Sequence, residues 1–206
     1  MFIFYNDVYV MNRKEIQEQR MKDYFIQATK EILKGEGIQA LSVRSIAEKA
    51  GYSFATLYNY FKDVKELIFL CVKDFQQECQ EYVEDKTKDL QRGEKKIIAT
   101  AISYAEYFVQ YPSVFEIFFI EKLPNSTENA KISELISSFL EKLCQEEFQY
   151  CIDKKSFTDE EIREIVKELN CLITGILLLY LNRNYPSDYG DFAKNLKSQI
   201  EKTMKK

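Results

Sequence analysis

With 206 residues, 46% hydrophobic and 30% charged, and a net charge of −4, the chain has the composition of a soluble globular protein of one or two domains. It contains no histidine, which excludes Ser-His-Asp and Cys-His nucleophiles and nearly every His-bearing metal site. Its six glycines form neither G-x-G-x-x-G nor G-x-x-x-x-G-K-[ST], the two common phosphate-binding loops. We therefore expect no enzymatic activity, no cofactor and no bound metal.

The cysteines and the apolar segments indicate a cytoplasmic protein without a membrane anchor. Five cysteines form no C-x-x-C pair, which favours a reducing compartment and small core side chains. The alternative is a thiol sensor, because Cys71/Cys79 and Cys144/Cys151 are each about two helical turns apart. The longest apolar run, Cys171 to Leu181, has about half the length needed to cross a bilayer.

Helical periodicity begins at residue 13 and continues through the chain. Arg13 to Lys34 is predicted as the first amphipathic helix and ends at Gly35. Residues 1–10 are apolar but lack the basic region of a signal peptide. We expect either a disordered N-terminal extension there or a natural start at Met11.

Two short helices follow, and both begin at a serine. Ser42 is placed as the N-cap of a helix that ends at Gly51, and Ser53 as the N-cap of the next. In the second of these, Leu57 and Phe61 share a face. Only Gly51 and Tyr52 separate the first of these helices from the Ser53 cap, so residues 42–61 are predicted to form a helix-turn-helix.

The remaining segments are also helical, and the fold is predicted to be all-α with about nine helices and no strand. Asp63 and Glu66 form a capping box that starts a long fourth helix, which ends near Asp85 or Leu90. Further helices are predicted over residues 97–110, 113–123, 132–150, 158–181 and 187–205, with a loop at 124–129.

Charge is distributed unevenly along the chain. Residues 11–65 contain ten Lys/Arg against seven Asp/Glu, whereas residues 66–206 contain nineteen against twenty-five. A basic N-terminal segment on an acidic protein is consistent with nucleic-acid contact confined to that segment.

The third helix carries aromatic side chains on its outer side. With Leu57 and Phe61 facing inward, the outer positions are Phe54, Ala55, Tyr58 and Asn59. Together with the Thr56 hydroxyl and Arg44 of the preceding helix, this face has the chemistry to enter a DNA major groove, where hydroxyls bind phosphates and arginine reads guanine. The alternative is that Phe54 and Tyr58 pack against the fourth helix or against another subunit.

The segment GIQALSVRSIAEKAGYSFATLYNYFKDVKELI resembles the tetracycline-repressor (TetR) family of bacterial transcription regulators. The family signature is an I-A-x-x-A-G-V-S helix followed by x-x-T-L-Y-x-Y-F, and the resemblance runs nearly continuously from Phe25 to Leu67. It implies an N-terminal three-helix DNA-binding domain, residues 11–75, joined by a long fourth helix to a C-terminal ligand-binding and dimerisation domain, residues 76–206.

The resemblance also implies roles for individual residues. Arg44 is expected to reach a base edge, Phe54 and Ala55 to touch bases, and Thr56, Tyr58 and Lys62 to hold phosphates. The full set of expected DNA-binding residues is Ser42, Arg44, Ser53, Phe54, Ala55, Thr56, Tyr58, Asn59 and Lys62.

Two positions depart from the family pattern. Val64 replaces a usual lysine at the start of the fourth helix, which should lower nonspecific DNA affinity and flatten its salt dependence by about one unit; Lys62 or Lys65 is available to compensate. Tyr52 replaces a usual valine in the turn.

An aromatic stretch in the C-terminal part is a candidate pocket for a small-molecule effector. The pocket residues are predicted to be Tyr104, Tyr107, Phe108, Tyr111, Phe115 and Phe119. Apolar walls with a few polar tips are typical of such pockets, and plain core is the alternative. An organic cation, a fatty acyl group and an aromatic compound all fit this composition.

The resemblance further implies a homodimer built on the last two long helices, roughly Thr158 to Leu181 and Ser187 to Lys205. The apolar run at 171–181 supports this independently, because one subunit can cover only one of its sides. The alternative is the central helix of a monomeric bundle.

The sequence thus predicts a ligand-responsive transcriptional repressor that binds a palindromic double-stranded DNA operator as a dimer. One alternative is an architectural or division-control DNA-binding protein on the same scaffold. A second is a helical enzyme that uses a carboxylate pair, Glu160/Glu164 or Glu161/Glu168, although these residues fit solvated helix faces better.

Overall fold

The computed structural model describes residues 12–121 and 127–205, and all regular secondary structure in these ranges is helical, which confirms the all-α prediction. The expected extension at residues 1–10 lies outside them, as does the first part of the loop predicted at 124–129. The elements in chain order are α1 (Arg13–Gly35), a short 3-10 helix (Ile38–Ala40), α2 (Val43–Ala50), α3 (Phe54–Tyr58), α4 (Val64–Thr87), α5 (Glu94–Gln110), α6 (Pro112–Phe119), α7 (Thr127–Ser137), α8 (Phe139–Asp153), α9 (Asp159–Arg183) and α10 (Tyr189–Thr203).

The segment predicted as one helix over 132–150 forms two helices, α7 and α8, and its first helix already begins at Thr127. The interruption lies at Ser138, whose hydroxyl donates to the Glu134 carbonyl over 2.8 Å. A serine that bonds the carbonyl four residues earlier competes with the helical backbone pattern. This division makes ten α-helices within the described ranges, one more than predicted.

The chain divides into two units, and the boundary falls inside α4, between Leu70 and Cys71. The first unit packs α1, α2, α3 and the start of α4 around buried apolar side chains. These are Phe25, Ala28, Ile32, Ile46, Leu57, Phe61 and Leu67. Leu57 and Phe61 are both buried, as their shared helical face predicts.

The second unit is built around α5, which contacts α6, α8, α9 and α10. Its interior is rich in rings: Phe108 lies edge-on to Tyr104 at 5.0 Å and to Phe118 at 5.4 Å between ring centroids. Such edge-to-face pairs add to the free energy of burial. No helix in the described ranges is both long and apolar enough to cross a bilayer.

A buried carboxylate ties α8 to the loop before α5. Glu147 is 4% exposed and accepts the Gly93 N–H at 2.8 Å and the Arg92 Nε at 3.2 Å, while Lys96 Nζ lies 3.4 Å away. Gly93 adopts φ +101°, and a Cβ there would lie 3.5 Å from the Tyr150 ring. The Tyr150 ring would leave room for a Cβ in ordinary van der Waals contact, so it is the backbone angle that favours glycine here.

Burial by itself raises the pKa of Glu147, but the Gly93 N–H and the Arg92 and Lys96 cations outweigh it and hold the pKa below the ordinary value. Because the folded-state pKa is lowered, the carboxylate stabilises the fold above the unfolded-state value of about 4.3. This contribution is lost as the pH falls through the folded-state pKa.

We therefore predict that Glu147→Gln lowers the free energy of unfolding at pH 7 by about 2 kcal/mol. The loss should shrink as the pH falls below about 4.3, where the wild-type carboxyl is itself becoming protonated. Urea unfolding at several pH values measures both effects. Glu146→Gln is the matched control, since only the backbone carbonyl of Glu146 contacts Arg92; an equal loss in both variants would contradict the prediction.

Candidate functional site

Serine caps fix the start of both short helices in the first unit. The Ser42 hydroxyl oxygen accepts the Ser45 N–H at 3.0 Å, and the Ser53 hydroxyl oxygen accepts the Thr56 N–H at 3.1 Å. Between them Gly51 adopts the left-handed conformation with φ +76°, which closes α2 and redirects the chain. The helix-turn-helix predicted at residues 42–61 is thus built by local side-chain chemistry.

The α3 helix has only five residues, shorter than the helix predicted to reach Phe61. Helical hydrogen bonding continues slightly further, because the Phe61 N–H still donates to the Leu57 carbonyl at 3.0 Å. A helix of this length is not stable alone. It depends on Leu57 and Phe61, which bury its inner side.

The outer side of α3 is open. Phe54 is 63% exposed and Tyr58 is 54% exposed, and Ala55 and Asn59 are also exposed. About half or more of each ring is therefore left uncovered by the described part of the chain. Large exposed rings on one short helix favour a surface that meets a partner.

Polar groups of the expected DNA-binding set border this face. Arg44 and Lys62 are exposed, and neither forms an ion pair with the part of the chain that the structure describes. The Thr56 and Ser53 hydroxyls lie 2.9 Å apart and share a hydrogen bond. Ser42 and Ser53 cap α2 and α3, and a contact of either serine with DNA would be additional to this role.

The start of α4 differs in detail from the predicted capping box. The Asp63 carboxylate accepts the Glu66 N–H at 3.0 Å, but the Glu66 carboxylate accepts the N–H of Lys62 at 2.9 Å rather than that of Asp63. Val64 packs partly buried against the core of the first unit. A valine here adds apolar contact where a lysine would present a cation.

The six aromatic residues predicted to form a pocket are mutually packed. Tyr104, Tyr107, Phe108 and Phe115 are buried, and Tyr111 and Phe119 are half-buried. The Tyr107 hydroxyl donates to Glu78 at 3.4 Å. The Tyr104 hydroxyl is fully buried and has no hydrogen-bond partner, which costs free energy unless a bound molecule supplies one.

A cleft of about 930 Å³ lies in the second unit between α4, α5 and α8, and sequence periodicity did not reveal it. Its apolar wall includes Val83, Phe139 and Leu143. Four lysines and four glutamates also line it: Lys73, Lys88, Lys96, Lys142, Glu81, Glu84, Glu146 and Glu147. Phe139 also lies 5.7 Å from the Tyr104 ring, so the cleft borders the aromatic core. Its residues come from three distant segments, and no local pattern indicates that they converge.

The carboxylates of the enzyme alternative line a smaller cleft of about 400 Å³ beside α9. Glu161 accepts the Thr158 N–H at 2.7 Å as part of the predicted capping box, and Glu164 pairs with Lys167 at 2.7 Å. Both interactions lower the pKa of the carboxyl they hold. Glu161 and Glu164 therefore stay ionised and are already held by the Thr158 N–H and by Lys167, which disfavours a role as general acid.

One face of α9 is apolar and uncovered. Ile173 and Leu177 are buried, but Leu178 is 39% and Leu179 47% exposed. Cys171 and Gly175 are also exposed and lie on the same side of the helix, about two turns and one turn before Leu179, respectively. The apolar run at 171–181 is thus covered on one side only, as predicted for a single subunit.

The chain was compared with protein families and with known proteins. The family model of bacterial regulatory proteins of the tetR family matches residues 25–70. A comparison with proteins of curated function finds no match.

Solved structures share the fold over nearly the whole chain. A protein from Syntrophomonas wolfei described as a TetR-family transcriptional regulator superposes with TM-score 0.72 at 15% identity, covering 92% of this chain and 97% of that one. The transcriptional regulator FadR from Bacillus subtilis, solved in complex with stearoyl-CoA, superposes with TM-score 0.71 at 17% identity, covering 89% of this chain and 97% of that one. The fatty acid degradation regulator FadR from Bacillus halodurans superposes with TM-score 0.66 at 17% identity, covering 89% of this chain and 94% of that one.

These similarities agree with the geometry of the first unit, where the matched residues contain α2, α3 and the turn between them. Residues 25–70 therefore form a domain of the tetR family of bacterial regulatory proteins, and the described chain has the fold of TetR-family transcriptional regulators.

Proposed function

We propose that this chain is a cytoplasmic transcriptional regulator that binds a palindromic DNA operator as a homodimer and releases it when a small molecule binds. Residues 11–75 form the DNA-binding domain, and residues 76–206 bind the effector and the second subunit. Repression is the proposed direction of regulation, since an operator-bound dimer obstructs transcription.

The exposed face of α3 within the tetR-family domain carries the proposal. Phe54 and Ala55 lie at the start of the helix, where an entering recognition helix meets base edges, and apolar groups there contact thymine methyls. Arg44 supplies a guanidinium that can bond guanine. Thr56, Tyr58 and Lys62 supply the donors that phosphate oxygens accept.

The uncovered face of α9 supports a dimer. Leu178 and Leu179 would become buried against a second copy of the same face, as the two-fold symmetry of most homodimers requires. In such a dimer two α3 helices would contact half-sites about one DNA turn apart. This spacing is the reason that we propose a palindromic operator.

The cleft between α4, α5 and α8 is the proposed effector site. Its volume of about 930 Å³ lies in the range of small-molecule pockets. The apolar wall suits an acyl chain, and Lys142 at the cleft can meet an anionic head group although glutamates line it too; the regulator solved with stearoyl-CoA shares the fold. We therefore propose a long-chain acyl thioester or a related lipid anion as the effector.

Selection of DNA from a random pool by the purified chain, at near-physiological salt, tests the proposal. We expect an enriched palindrome whose half-sites are about one helical turn apart. No enrichment by folded protein would overturn the DNA-binding function. Enrichment of single half-sites would overturn the dimeric mode of binding.

Tyr58→Phe should weaken binding to the enriched operator by about 1 kcal/mol per half-site, because it removes only the hydroxyl that contacts phosphate. Dimerisation should not change. Titration of labelled operator gives the affinity, and sedimentation gives the oligomeric state. Tyr185→Phe, which removes an exposed hydroxyl from the second unit, is the matched control; equal affinities of the two variants would contradict the phosphate role.

Stearoyl-CoA should release the operator, since a ligand that prefers the free conformation shifts the equilibrium away from DNA. Lys142→Gln should raise the concentration needed for half-release about fivefold by removing one charge-assisted contact at the cleft. Lys154→Gln is the control, because Lys154 lies just after α8 and does not line the cleft. Release that is unaffected by Lys142→Gln would place the effector elsewhere.

A further inference from the structure

The α1 helix carries a polar stripe that no role assigned above uses. Arg13, Gln17, Arg20 and Tyr24 follow one another at i, i+4, i+7 and i+11, so they lie on one face of the helix. All four side chains are exposed, and Tyr24 is 54% exposed. We call these four residues the α1 stripe.

The stripe leads directly to the start of α3. The Tyr24 ring lies 6.1 Å from the ring of Tyr52, the residue immediately before the Ser53 cap. Tyr52 in turn packs at 5.6 Å on the buried Phe25, and its N–H donates to the Ala47 carbonyl at 2.9 Å. Two exposed tyrosines from different elements are therefore held side by side at the edge of the recognition face.

The stripe is electrostatically suited to an anion. Neither Arg13 nor Arg20 pairs with a carboxylate in the described ranges. The acidic side chains of α1 are already occupied: Glu15 accepts the N–H of Asn12, Glu18 pairs with Lys22, Asp23 accepts from Gln19, and Glu31 pairs with Lys49. Two guanidiniums that pair with no described carboxylate and the Tyr24 side chain thus lie exposed on one face of α1, and the exposed Tyr52 adjoins Tyr24.

We propose that the α1 stripe and Tyr52 bind the phosphate backbone of DNA that flanks the half-site contacted by α3. This inference rests on the proposed DNA-binding function. Arginine and tyrosine side chains bind phosphates without reading sequence, so the contacts would fix the position of the domain and add affinity. From Arg13 to Tyr24 the stripe spans about 16 Å of helix, roughly the axial length of five base pairs.

The stripe also compensates for the valine at position 64. A lysine at the start of α4 would supply one phosphate contact, and here that cation is missing. Arg13 and Arg20 supply two cations on another helix of the same unit. Cations on α1 would thereby add to the phosphate contacts proposed for Thr56, Tyr58 and Lys62.

The test compares the enriched core operator with the same core extended by about ten base pairs on each side, a length that exceeds the span of the stripe. Wild-type protein should bind the extended DNA more tightly. Arg20→Gln should remove most of this gain and lower the slope of log affinity against log salt by about one per half-site. Lys22→Gln is the matched control, because Lys22 lies on another side of α1, paired with Glu18.

Tyr24→Phe and Tyr52→Phe keep the ring packing and remove only the hydroxyls, so folding is preserved. Each should weaken binding to the extended DNA about fivefold and leave binding to the core alone unchanged. Ethylation of flanking phosphates should inhibit wild-type binding and should have less effect on Arg20→Gln.

The outcomes separate this inference from the function on which it rests. Wild-type protein that binds neither DNA overturns both. The phosphate role of the α1 stripe alone is overturned if the wild-type protein binds the core and the extended DNA equally and if Arg20→Gln and Lys22→Gln have the same affinities. A gain from the flanks that is lost in Arg20→Gln and kept in Lys22→Gln supports the inference.

Discussion

The first unit depends on the burial of one ring, that of Phe25. This side chain is fully buried, and its ring contacts those of Tyr52, Tyr60 and Phe61 within 5.6 to 6.2 Å. It therefore holds α1 against both ends of α3. Because a five-residue helix cannot maintain itself in water, the orientation of Phe54 and Tyr58 depends on this contact as much as on the serine caps.

The parts of the fold that sequence reasoning predicted are those with local causes. The caps at Ser42, Ser53 and Thr158 need only residues up to three positions away, and all three form as expected. Helix periodicity likewise predicted which side of α3 is buried. The break at Ser138 was not predicted, because a serine within an apolar helical pattern is compatible with a continuous helix and with an interrupted one. The hydrogen bond from its hydroxyl to the Glu134 carbonyl is what the structure adds.

The candidate site was predictable to a lesser degree. The exposed residues of α3 follow from a pattern of 3.6 residues per turn, so they could be located without coordinates. The cleft in the second unit could not be, since α4, α5 and α8 bring Lys73, Lys96 and Lys142 together only through tertiary packing. The aromatic stretch around Tyr104 has the composition of a pocket, and its rings pack against one another with Tyr111 and Phe119 half-buried. Its role in binding an effector stays a prediction. The roles assigned to individual residues remain predictions.

The distribution of thiols in the folded chain has a practical consequence. Four of the five cysteines are buried, which shields their sulfurs from reagents in solution. Burial also raises the pKa of the Cys144 thiol to about 12 and raises that of Cys79, so these two sulfurs stay protonated. Cys171 alone is exposed, on the uncovered side of α9. A maleimide dye would therefore label the native chain at a single position, and its rate of attachment would report directly whether that side of α9 is accessible or covered.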